Sequence, residues 1–117
     1  MATWYSLVNF TRAETIDFAH IPVATKRELA GNPVAAAIAT WYLLEHPGDS
    51  IAFVSDTDGD WPFPSGSPSD LEDYQDVTQL VADNLVAIGI LRDDGREIFD
   101  KSEPDVYMRL LHNVWLD

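Results

Sequence analysis

The apolar and polar positions of the chain fall into short, punctuated runs. Residues 3–11 (TWYSLVNFT) are rich in aromatic and β-branched side chains, which predicts a strand. Its alternation puts Trp4, Ser6, Val8 and Phe10 on one face and Tyr5, Leu7 and Asn9 on the other. Both faces carry large apolar groups, so this strand is expected to be covered on both sides for part of its length. After a turn at Arg12 and Ala13, residues 14–20 (ETIDFAH) read as a returning strand, with Ile16, Phe18 and His20 pointing one way.

Helical signals follow. Thr25 with Glu28 three residues on is a capping-box pattern for a short helix that Gly31 ends. Asn32-Pro33 starts a longer helix, Asn as cap and Pro in the first turn, ending near His46 before Pro47-Gly48. Val34, Ile38, Trp41, Tyr42 and Glu45 lie on neighbouring turns of it, and its alanines allow close approach to a sheet. Residues 50–55 (SIAFVS) form an apolar run between turn residues, which predicts a buried strand.

Residues 56–69 (DTDGDWPFPSGSPS) are irregular, Pro/Gly-rich and acidic, and an exposed loop is expected. Asp76 then caps a helix with Val77, Leu80, Val81, Leu85 and Ile88 at helical spacing, closed by Gly89. Residues 90–99 (ILRDDGREIF) read as a hairpin turning at Asp93-Asp94-Gly95. Ser102, Pro104 and Asp105 look like the start of a last helix with Val106, Tyr107, Leu110, Leu111 and Val114 on its apolar face. The predicted order is β-β-α-α-β-loop-α-β-β-α. Without strict βαβ alternation, this is one α+β domain over residues 1–117, its antiparallel hairpins packed by helices.

Composition narrows what such a domain does. Cysteine is absent, which removes disulfides, thiolate metal sites and a cysteine nucleophile. No run reaches the length of a membrane span, and the first ten residues lack the basic and apolar regions of a signal peptide, so a cytoplasmic location is expected.

Charge changes the picture most. The formal net charge is −13, and from Glu28 through Leu91 there are eleven acids and no Lys or Arg. Such a field repels nucleic acid and anionic membranes and attracts basic partners. It also serves solubility.

Candidate chemistry centres on the same stretch. Asp56, Asp58 and Asp60 alternate on the loop, as carboxylates on a divalent cation do, but Gly59 and Ser67 occupy the wrong places for a calcium loop. Trp61 and Phe63, set between prolines, either anchor a partner or fold back onto the core. His20, His46 and His112 show no metal-ligand spacing, and no nucleophile elbow, phosphate loop or His-Glu-x-x-His motif occurs. Residues 76–99 resemble the last helix and wing of a winged-helix domain. That would imply a DNA-reading helix, but this one offers Asp76, Thr78, Gln79 and Asp83 and no base.

The expected function is therefore an acidic protein-binding module, an inhibitor or immunity-type protein that can mimic nucleic acid against a basic protein partner. Its surface comprises Asp56, Asp58, Asp60, Trp61, Asp70, Glu72 and Asp73. No catalytic residue, metal ligand or cofactor is assigned. The alternatives are a small enzyme or divalent-metal module at the Asp56–Asp60 loop, and a subunit whose acidic face docks on a basic sibling.

Overall fold

The computed structural model describes residues 3–56 and 61–116. The elements are β1 (Tyr5–Asn9), β2 (Glu14–Ile16), α1 (Lys26–Gly31), α2 (Pro33–Glu45) and β3 (Ile51–Ser55). A 3₁₀ segment (Pro68–Asp73), β4 (Gln75–Asp76), α3 (Thr78–Ala87), β5 (Leu91–Ile98), β6 (Tyr107–Asn113) and a closing 3₁₀ turn (Val114–Leu116) follow. The class is α+β, as expected.

The larger sheet has the order β3-β1-β2-β4. β1 is antiparallel to both neighbours, with Leu7 opposite Phe53 on one side and Ile16 on the other. β4 runs parallel to β2, so this sheet is mixed rather than built from hairpins alone. β5 and β6 form a separate antiparallel ribbon.

β1 is the central strand, and its alternation divides the interior in two. Leu7 packs with Ile16, Phe18, Ile38, Val81 and Leu85 beneath the helices. Val8, fully buried, packs on the opposite face with Val54 and Phe63. Coverage on both faces follows from the pattern of residues 3–11.

The helices begin where capping chemistry starts them. Glu28 Oε1 accepts from the Thr25 N–H at 3.1 Å while Thr25 Oγ1 accepts from the Glu28 N–H at 3.5 Å, completing the capping box. Asn32 Oδ1 accepts from the N–H groups of Val34 and Ala35 at 2.9 and 3.0 Å, and Pro33 opens α2. Asp76 Oδ1 accepts from the Thr78 N–H at 2.9 Å and anchors the start of α3. That helix buries Thr78, Val81, Ala82 and Leu85, whereas Leu80 and Ile88 stay exposed. The core thus takes a narrower stripe than the sequence offers.

Four expectations are corrected. Residues 51–55 form an edge strand with Phe53 exposed and only Val54 buried, not a buried strand, because among the described residues a neighbouring strand covers one side alone. The returning strand ends at Ile16 rather than residue 20, because Phe18 and His20 adopt positive φ (56° and 67°). There the Phe18 N–H leaves the ladder and donates to the buried Thr78 Oγ1 at 3.2 Å. Residues 90–99 are not a hairpin but run through β5 as one strand. Gly95 (φ 104°) and its N–H bond to Asp93 Oδ1 (2.9 Å) sit at a register shift between Asp93 and Arg96, a bulge rather than a turn. The hairpin that the winged-helix resemblance placed within residues 90–99 is therefore missing. The last helix is also a strand: residues 107–113 pair with β5, and this long-range partner overrides the local helical spacing.

Candidate partner-binding face

Residues 61–74 cross the face of the larger sheet opposite the helices. Phe63 is the anchor of this segment, stacked on Phe10 at 4.9 Å and met edge-on by Trp61 at 5.1 Å. Trp61 Nε1 donates to Ser65 O at 2.7 Å, closing the loop on itself. Leu71 and Tyr74 add to the same cluster. Gly66 takes a left-handed backbone (φ 78°) that strains any residue carrying a Cβ, and such a Cβ would also press on the Asp70 carboxylate. That oxygen accepts from the Ser67 N–H at 3.0 Å and starts the 3₁₀ segment.

This scaffold carries the sequence-predicted surface. Asp70, Glu72 and Asp73 share the 3₁₀ segment and are exposed. Asp56, at the end of β3, is tied to the sheet: its N–H donates to Trp4 O at 2.9 Å and its Oδ1 accepts from the Trp4 N–H at 3.1 Å. Asp56, Pro68 and Leu71 border one cleft of about 500 Å³, which joins the loop to the sheet edge. Trp61 is half-buried against Phe63, so its indole supports the loop more than it projects from it. Asp58 and Asp60 lie outside the described residues. Asp17 also lines the cleft, an exposed carboxylate to which sequence reasoning gave no role, and no sequence signal marks it.

Three of the seven bases form ion pairs elsewhere in the fold. Arg12 Nε meets Asp49 Oδ2 at 2.7 Å, and Arg92 Nε meets Asp94 Oδ1 at 2.8 Å. Arg109 lies between Asp83 (3.0 Å) and Asp93 (2.8 Å) and donates to Gln79 Oε1 at 2.8 Å. Burial works against its charge, yet hydrogen bonds to Asp93 and Asp83 hold its pKa above the ordinary value. Asp49 is held below the usual carboxylate range by hydrogen bonds from Asn9 and Arg12. Among the described residues, no ion pair reaches Asp56, Asp70, Glu72 or Asp73. They share that state with other exposed acids such as Asp17, Glu45, Glu97 and Glu103.

Among the described residues, no three His, Asp or Glu side chains are grouped to hold a metal ion. The divalent-metal and small-enzyme alternatives turn on Asp58 and Asp60, outside those residues. No described helix is long and apolar enough to cross a membrane. Compared with known proteins, the chain matches no family model, no curated protein and no solved structure.

Proposed function

We propose that the chain is an acidic protein-binding module of the inhibitor or immunity type, whose carboxylate face docks on a basic protein in place of a nucleic-acid backbone. One observation carries this reading: Asp70, Glu72 and Asp73, on a segment pinned by Phe63 and Trp61, and Asp56 at the end of β3 stand exposed and outside any ion pair among the described residues. A pinned loop presents its charges at little ordering cost on binding. Long-range attraction then speeds encounter, and like-charged competitors are rejected. The absence of Lys and Arg from residues 28–91 keeps that field single-signed across half the chain.

The mimic mechanism has a direct competition test. A basic protein retained on the immobilised chain at low salt should be released by an excess of short duplex DNA, because both ligands address the same cationic surface. Retention undiminished by DNA contradicts the mimicry.

A further inference from the structure

Among the described residues, the larger sheet ends at β3 with no strand beyond it. Among the described residues β3 pairs only with β1. The Phe10 N–H bonds to Ser50 O and the Asp56 N–H to Trp4 O, each at 2.9 Å, so the even-numbered residues of this stretch exchange hydrogen bonds with β1. Alternation in an antiparallel ladder then turns the N–H and C=O groups of Ile51 and Phe53 outward. Edge strands are ordinarily blunted by Lys, Pro, a bulge or shortness. Residues 51–55 contain neither Lys nor Pro and their register is unbroken, whereas β4 at the opposite edge is two residues long.

The open edge borders an apolar groove. Phe53 shares the helix side of the sheet with Leu7 and is 42% exposed. Beside it lies a space of about 510 Å³ walled by Leu29, Ala36, Ala39 and Leu43. Its one charged wall is Lys26, whose Nζ sits 5.8 Å above the Tyr5 ring. Outward main-chain groups with a side-chain pocket alongside are the two requirements of strand addition.

Charge selects the occupant. A second copy paired two-fold about Phe53 would set Asp56 of each chain opposite Ser50 of the other, next to Asp49, and would bring together two molecules of net charge −13. A basic segment meets the opposite field. We propose that β3 accepts an extended segment of a basic partner as an added strand, with a large apolar side chain in the groove and Lys or Arg at its flanks beside Asp56. This rests on the reading that the partner is basic.

The test uses a ten-residue peptide alternating Lys and Val with a central Phe, in three forms: unmodified, N-methylated at alternate amides in either phase, and with Glu for Lys. Amide chemical shifts of the full chain are followed at low and moderate salt. The unmodified peptide should shift Ile51 and Phe53 first. N-methylation in one phase, or Phe53→Asp in the protein, should weaken binding by about tenfold. The peptide comparison stands even if that variant fails to fold. N-methylated peptides that bind undiminished but salt-sensitively overturn the added strand and leave the charge reading intact. Equal binding of the Glu peptide overturns the basic occupant while the edge stands. Absence of shifts at Ile51 and Phe53, or a concentration-dependent dimer abolished by Phe53→Asp, overturns the proposal.

Discussion

The His20 imidazole lies flat on the Tyr107 ring, with centroids 3.7 Å apart and planes 5° from parallel. His20 Nδ1 is 2.9 Å from Tyr107 O, and the Arg109 N–H donates to His20 O at 2.8 Å. On the ribbon, the Arg96 guanidinium sits 4.4 Å from the Tyr107 ring centroid. This contact ties the β5–β6 ribbon to the chain leaving β2. It is bought with a left-handed backbone at His20 (φ 67°), a conformation that persists only where its surroundings enforce it.

Tyr107→Ala removes both the stack and the cation-π contact. A loss of about 1–3 kcal/mol is expected from pairs of these kinds. Urea unfolding measures it, and an unchanged midpoint would show that the ribbon docks by other means.

Asn9 is fully buried at the end of β1, where its Nδ2 donates to Asp49 Oδ2 (2.9 Å) and its Oδ1 accepts from the Arg12 N–H (3.1 Å). Asn9→Leu keeps the volume and strands those partners, at an expected cost of about 1–3 kcal/mol. Asn9→Asp should cost more at neutral pH, because it sets a buried carboxylate against Asp49. Thermal melts of both variants test the order; an Asp variant as stable as wild type contradicts it.

Acid sensitivity follows from Asp49 and Asp93. Asn9 and Arg12 lower the first carboxyl; the Gly95 N–H and Arg109 lower the second. A carboxyl whose folded pKa lies below its unfolded value of about 3.9 stabilises the fold above that pH and stops doing so as pH falls through the folded value. The melting-temperature gap between wild type and Asp93→Asn or Asp49→Asn should therefore shrink below about pH 4. A gap that does not narrow as the pH is lowered would mean these carboxylates contribute through something other than charge.

The helices were legible because their signals are local. Thr25 with Glu28, and Asn32 with Pro33, are caps that can be read within four residues, and the structure uses each as written. The two-sided burial of β1 was legible for the same reason. What failed depends on distant partners. Residues 107–113 carry a helical spacing, and only their pairing to β5 makes them a strand. Asp93-Asp94-Gly95 is turn chemistry, yet a Gly at positive φ serves a bulge equally well. At the candidate face, the carboxylates of Asp70, Glu72 and Asp73 were plain in the sequence. The packing of Trp61 under the loop was not, since a Pro-flanked aromatic reads the same whether it points in or out.

Self-repulsion gives a further test. With net charge −13 and few ion pairs among the described residues, added salt should relieve more repulsion than attraction. The melting temperature should rise between low and half-molar NaCl, and a fall would show that the paired charges dominate.

The acidic face is tested by capture on the immobilised chain and on its Asp70→Asn/Glu72→Gln/Asp73→Asn variant, each eluted with a salt gradient and the released proteins identified by mass spectrometry. A basic protein should leave the wild type at moderate salt and be retained weakly or not at all by the equally folded variant. The same protein held equally by both, or held to molar salt, contradicts a partner-binding face built from these carboxylates.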